Sequence, residues 1–360
     1  MRIELRRLGP LVLGVVVVLV GVSPRTALAD AAQEWNLTQI GAPAAWKVTT
    51  GSGTKIGVVD TGIDASNPEF AGKIDAVADC VGGPCRPGSA VDGNGHGTAV
   101  AGLALGVATS AHLIVARALN DRGVGTTEDI DNAIAWVVAQ GAQVVNLSLG
   151  DNPVITSIAG SDLADGIEGA WVKGAIPVLA SGNYTLGSGS NPSANYGNLD
   201  AVVVGASDNA DHVAWYSTPI GNAKWGMVAP GGGSEKPGEG VLSLWLGRTT
   251  RWLAGTSMAA PHVSGALAML LSQGLTPQAA VQRLLKTATT TVACGQGCHG
   301  RLQLDAAVQP TPAPTTTRVT TPIAHRSAPA RHPGWPLTAF AAALWAATSI
   351  AALRQRGSTT

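Results

Sequence analysis

The chain has 360 residues, 45% of them apolar, with 46 glycines and a formal charge of zero. That total hides a division: between Asp30 and Val308 there are 14 Lys and Arg against 22 Asp and Glu, a net of −8, and the other nine basic residues lie in the two ends. An acidic middle with no basic stripe argues against nucleic acid as a partner, while the apolar content suffices for one large domain with a sizeable core.

Residues 1–29 read as an export signal. Arg2, Arg6 and Arg7 form a positive start, Leu11 to Val20 an apolar run, and Ala27-Leu28-Ala29 a small-residue cleavage site. An uncleaved anchor is the alternative. Arg6-Arg7 alone does not make a twin-arginine signal, so the general secretory route is expected.

From Thr54 to Ala307 short apolar runs alternate with helical patterns. Lys55–Val59, Leu113–Ala118, Val144–Leu149, Ile176–Ala180 and Ala201–Val204 have strand length. The clearest helix starts at Thr126, with Asp129 placed for a capping box; Ile130, Ile134, Val137 and Val138 share one face and Gly141 closes it. Uniformly apolar strands separated by helices predict one α/β domain, residues 30–308, built on a mostly parallel sheet covered on both faces.

Four cysteines form two close pairs, Cys80/Cys85 and Cys294/Cys298. Export permits disulfides; three connectivities are possible, and two local bridges are the simplest. Cys294, Cys298 and His299 raise a metal site as the rival, but no fourth ligand is apparent, so neither metal nor cofactor is expected.

After Val308 the composition turns to Pro, Thr, Ala and Arg, which predicts an extended linker over 309–333. Trp335 to Leu353 is then 19 residues without a formal charge, long enough to cross a bilayer. Arg354 and Arg356 follow it, so the positive-inside rule places residues 354–360 in the cytoplasm and the large domain outside. A buried amphipathic helix is the alternative, but no globular segment remains to bury it. The expected location is the cell membrane, with a single span.

Three segments carry chemistry. Val58-Val59-Asp60-Thr61-Gly62 puts a carboxylate where an apolar strand ends, the place where sites assemble in open parallel sheets. Asp92-Gly93-Asn94-Gly95-His96-Gly97-Thr98 surrounds a histidine with glycines, which lets backbone approach the ring. Gly255-Thr256-Ser257-Met258-Ala259-Ala260-Pro261-His262 runs into a long apolar helix and places Ser257 near unpaired N–H groups; Pro261 is expected in the first turn, where its missing N–H is harmless. Each alone has a bland reading, as a turn, a surface histidine and an N-cap. Together they supply a nucleophile, a base and a group to hold the base, in the order Asp60, His96, Ser257.

These segments resemble, in order and in wording, the subtilisin-like serine proteases (subtilases). The resemblance covers roughly Trp35 to Ala307 and is most specific in the GTSMAAPHVSG run. It implies a subtilisin-like three-layer fold and hydrolysis of protein or peptide substrates by an Asp60–His96–Ser257 triad. By the same resemblance, Asn183 in Ala180-Ser181-Gly182-Asn183 supplies the oxyanion amide. Gly123-Val124-Gly125 forms the edge that pairs with an extended substrate, and Ser148-Leu149-Gly150 a wall between that edge and a small apolar primary pocket. His262 is structural on the family pattern, His112 a surface residue, and Asp64 and Asp92 are explained by turn geometry.

The sequence departs from the pattern twice. Text like the family's mature start begins at Trp35, six residues after the expected signal cut, so no propeptide is expected. The stretch from Ala99 to His112 is short, so the calcium loop that interrupts this helix in subtilisin is expected to be absent. The order of signal, protease domain, Pro-rich linker and span resembles the mycosins, which implies type VII secretion components as partners. An inactive surface receptor is disfavoured because all four catalytic positions are filled. An α/β-hydrolase esterase is disfavoured because Ser257 is neither first in chain order nor within G-x-S-x-G.

Overall fold

A computed structural model describes residues 34–149, 162–184 and 197–310. The signal, the linker beyond Pro310, the span Trp335–Leu353, the tail and Gly150 lie outside the described residues. Among those described, no helix is long and apolar enough to cross a membrane.

In chain order the elements are α1 (Trp35–Gln39), α2 (Ala42–Ala45), β1 (Lys55–Asp60), β2 (Ile74–Asp79), β3 (Arg86–Pro87), α3 (His96–Val107), β4 (His112–Arg117) and α4 (Thr127–Ala139). There follow β5 (Val144–Leu147), α5 (Asp162–Val172), β6 (Ile176–Ala180), β7 (Val202–Ser207), β8 (Trp225–Pro230), β9 (Val241–Trp245) and β10 (Thr249–Leu253). The chain then forms α6 (Thr256–Ser272), α7 (Pro277–Thr287), β11 (Cys298–Arg301) and α8 (Leu304–Ala307). Nine strands make one sheet in the order β11-β8-β7-β6-β5-β1-β4-β2-β3, parallel except where β3 returns antiparallel on β2. β9 and β10 form a separate hairpin. The α/β architecture expected from the alternating pattern is the one observed.

In β1, β4, β5, β6 and β7 alternate residues face opposite sides of the sheet, and both sets are largely apolar. Ile56, Val58, Val115, Val178 and Val204 enter the core under α3 and α6; Val59, Ile114, Val145, Leu179 and Val203 enter the core under α4 and α5. This is why the strands read as continuous apolar runs instead of alternating ones. Small residues let α3 and α6 cross closely: a side chain at Gly265 would press on Val107 and the Ala104 carbonyl. The predicted helix at Thr126 is α4, with both halves of its capping box present and Ile130, Ile134 and Val137 buried. Val138 sits at the margin, half-buried.

Two expectations are refined. Pro261 lies in the second turn of α6, not the first. Without an N–H it leaves the Ser257 carbonyl without its helical donor. The Ser148 hydroxyl fills that place, donating to Ser257 O at 2.9 Å. The strands β2, β3, β8, β9, β10 and β11 were not expected. All but β9 contain Gly, Pro or charged residues that break the apolar run, β9 has a serine at its centre, and each is completed by the ladder of a neighbouring strand. Both cysteine pairs form local disulfides, Cys80–Cys85 and Cys294–Cys298, so neither sulfur of the second pair is a free thiolate for a metal.

Candidate active site

The carboxyl end of β1, between β4 and β5, is the centre of the site. Asp60 is its last residue and is fully buried. Its Oδ1 accepts from the Thr61 N–H at 2.7 Å and from His96 Nδ1 at 2.7 Å. Oδ2 has no hydrogen-bond partner among the described residues. A buried carboxylate with so little compensation favours a positive charge close by, and the imidazole is the group in place to carry it.

His96 opens α3 behind Gly95, whose φ of 104° is left-handed and suits glycine. Gly97 follows because a side chain there would strike the Gly62 carbonyl. The ring is therefore placed by backbone packed against backbone. With Nδ1 on Asp60, Nε2 is left as the basic nitrogen.

Asp92 does more than shape a turn. Its buried carboxylate accepts five hydrogen bonds: Oδ1 from Thr61 Oγ1 (2.9 Å), Asn94 N (2.9 Å) and Gly95 N (2.8 Å), and Oδ2 from Thr98 N (2.9 Å) and Thr98 Oγ1 (2.6 Å). Burial alone would raise its pKa, but the donors from Gly95, Thr98 and Asn94 outweigh burial and hold it below the usual carboxylate range. Thr61 Oγ1 in turn accepts from Gly97 N at 2.9 Å. The residues after Asp60 and those around His96 are thus joined through one ionised group. Asp64 also reaches beyond its turn, accepting from Gly247 N at the tip of the β9–β10 hairpin at 2.8 Å.

Ser257 is the second residue of α6 and is buried. Its Oγ donates to the Ser148 carbonyl at 3.3 Å, and its N–H is among the first-turn donors that a helix leaves without internal partners. Asn183 stands beside it: its Oδ1 accepts from Thr256 N at 2.9 Å and from Thr256 Oγ1 at 3.1 Å. With the oxygen end held, the amide presents Nδ2 as its donor. A buried chain runs behind the serine, from Ser264 Oγ to Asn146 Oδ1 (2.8 Å), Asn146 Nδ2 to Ser148 Oγ (2.9 Å) and Ser148 Oγ to Ser257 O. Sequence reading missed Asn146 and Ser264. A polar residue inside the apolar run Val144–Leu149 was the available signal.

His262 is also close in sequence, but its surroundings differ. It is fully buried; Nδ1 bonds the Met258 carbonyl at 2.8 Å, and Nε2 meets Asn36 Nδ2 at 2.8 Å. Burial pushes its pKa down to about 4, so it is a neutral structural residue near pH 7. His112 is half-exposed at the start of β4 and bonds Asp75. In the expected substrate edge, Gly123 has a φ of 73°, Val124 is exposed, and a side chain at Gly125 would collide with the Ala118 carbonyl. Ser148 and Leu149 are buried at the end of β5.

Residues 51–312 match the family model described as the subtilase family. The chain belongs to the subtilase family. It is 35% identical over 252 residues to thermitase from Thermoactinomyces vulgaris, covering 67% of this chain and 83% of that protein. It is 39% identical over 247 residues to Subtilisin Savinase from Lederbergia lenta, covering 66% of this chain and 83% of that one. Its fold is similar to that of a solved protease of Pseudoalteromonas arctica PAMC 21717, with a TM-score of 0.65 and 26% identity, over 78% of this chain and 98% of that structure. This subtilase is a serine endopeptidase with a mostly parallel nine-stranded sheet.

Proposed function

We propose that this subtilase cleaves peptide bonds with Ser257 as nucleophile, His96 as general base and acid, Asp60 as the group that orients and stabilises the imidazolium, and Asn183 as oxyanion donor. The observation that carries the reading is the 2.7 Å bond from His96 Nδ1 to the buried Asp60 at the carboxyl end of β1, with Asn183 hydrogen-bonded to Thr256, the residue before Ser257. His96 Nε2 takes the Ser257 proton as Oγ attacks the scissile carbonyl. Asn183 Nδ2 and the Ser257 N–H receive the oxyanion, and His96 then returns the proton to the leaving amine. Water repeats the sequence to release the acyl group. The substrate's acyl side lies along Gly123-Val124-Gly125 as an added strand, with Ser148-Leu149-Gly150 beside the pocket. Purified Ser257→Ala should be folded and inactive towards peptides; residual turnover at the wild-type rate would exclude Ser257.

The enzyme's place, in this reading, is the outer face of a cell membrane, exported by residues 1–29 and held by residues 335–353. The linker from Pro310 to Pro333 is 24 residues and reaches at most about 75 Å when extended. That range suits processing of exported or membrane-bound proteins as they emerge, and the mycosin-like order of segments makes type VII secretion components candidate partners. Fractionation should find the full chain with membranes, and truncation after Val308 should yield a soluble enzyme that cleaves test peptides but processes its native target poorly. Full-length enzyme shed into the medium with undiminished processing would overturn the tethered role.

A further inference from the structure

Outside the catalytic centre, one structure the mechanism does not use is the short loop closed by Cys80–Cys85. It joins β2 to β3 at the far edge of the sheet, yet its hydrogen bonds run to both ends of the segment that carries Gly123-Val124-Gly125. We propose that the Cys80–Cys85 loop is a positioning element for the acyl-side binding edge, acting through Asp129 at one end and Asp79 with Arg117 at the other. The inference rests on the reading of Gly123–Gly125 as the substrate-pairing edge.

At the far end of that segment, Asp129 is buried and divides its two carboxylate oxygens. Oδ1 accepts from the N–H groups of Gly82 (2.9 Å) and Gly83 (3.2 Å) in the disulfide loop. Oδ2 accepts from the N–H of Thr126, the residue that follows Gly125, at 3.2 Å. One side chain therefore ties the loop to the end of the edge. Gly82 and Gly83 have φ of 75° and 138°, the left-handed range in which glycine can turn both N–H groups onto one acceptor.

At the near end, the Cys80 N–H donates to the Arg117 carbonyl at 2.8 Å. The Arg117 guanidinium bridges Asp79 Oδ1 (3.2 Å) and Asp121 Oδ1 (2.8 Å), and Asp79 also accepts from Val81 N at 3.1 Å. Asp121 lies inside the edge segment itself. Between these anchors residues 120–124 form a turn on Asn120, whose Oδ1 accepts from the N–H groups of Arg122 and Val124. An edge held at both ends needs no ordering when a substrate strand arrives. Opening the disulfide frees the four residues between the cysteines, and with them the holds of Gly82 and Gly83 on Asp129 and of Val81 on Asp79.

The test compares two substrates, a peptide with four residues before the scissile bond and a single acylated amino acid, in the full-length enzyme. In wild type the longer substrate should show the lower KM. In Cys80→Ser/Cys85→Ser its KM should rise roughly tenfold, the size expected when one or two residues must be ordered anew on binding. The kcat, and both constants for the short substrate, should hold. Asp129→Ala should act in the same direction, and Asp129→Asn, which keeps one acceptor for Gly82 and Gly83, should bring KM back towards wild type. This second pair leaves the disulfide intact and decides the matter if the cysteine variant does not fold. A wild-type KM that ignores acyl-side length overturns the substrate-edge reading and the inference with it. A length effect that survives in the variants, or a loss of kcat shared equally by both substrates, overturns the inference alone.

Discussion

The first turn of α3 and the second turn of α6 each carry a histidine, and the two have opposite surroundings. His96 is half-buried and bonds the carboxylate of Asp60. His262 is fully buried between a carbonyl and an amide, Met258 O and Asn36 Nδ2, with no charge to balance a proton. A base must accept a proton and be stabilised while it holds it, and only the first site offers that. The second provides a neutral ring that locks α1, through Asn36, onto the helix bearing the serine. Residue type does not separate the two, and nearness to Ser257 in sequence would favour His262; the acceptor on Nδ1 decides.

The largest expected effect is on the first histidine. His96→Ala and Ser257→Ala should each lower kcat by something on the order of 10⁶, since the two act as a unit. The double variant should be little worse than either. Additive losses in peptide hydrolysis would mean that they do not share a step. Asn183→Ala should cost about 10²–10³ in kcat with KM nearly unchanged, because its amide acts on the transition state; a change confined to KM would assign it to ground-state binding instead. Asp92→Asn should lower kcat roughly 10- to 100-fold by loosening the placement of His96. Its pH–rate profile should shift as well, which a general loss of stability would not produce.

How far these roles were legible in the sequence follows from the distance over which each acts. Asp60, His96 and Ser257 announce themselves locally, by glycines around the histidine and by a serine ahead of a long apolar helix. β1, β4, β5, β6 and β7 were readable because both faces of the sheet are covered and their central positions are almost all apolar. Asp92 was visible but read too modestly, because Thr61 and Thr98 meet it only after β1 and α3 are docked. The bond from Ser148 to Ser257 O was hidden by placing Pro261 one turn too early. β8 and β11 become strands through each other and β7, and nothing in the local pattern of Trp225–Pro230 or Cys298–Arg301 says so.

The smallest effects concern stability and pH. The pKa of His262 is lowered from 6.5 to about 4 by burial, so its contribution is full above about pH 6.5 and is lost as pH falls towards 4, about 3 kcal/mol in all. Glu34, at the start of α1, is raised from 4.5 to about 7 by burial and works the other way: its contribution is full below 4.5 and lost as pH rises through 7. The two oppose each other in the same window. Urea midpoints between pH 4 and 7.5 should therefore show a steeper acid-side loss in Glu34→Gln, and stability falling with rising pH in His262→Gln. Parallel profiles for both variants and wild type would contradict these assignments.

The division of labour between the two histidines is tested most directly by fluorophosphonate labelling followed by peptide mapping, with circular dichroism to confirm folding. Wild type and folded His262→Gln should both be labelled at Ser257 at similar rates, while folded His96→Ala should not be labelled. Labelling at another serine, or its loss in His262→Gln with retention in His96→Ala, would contradict the account.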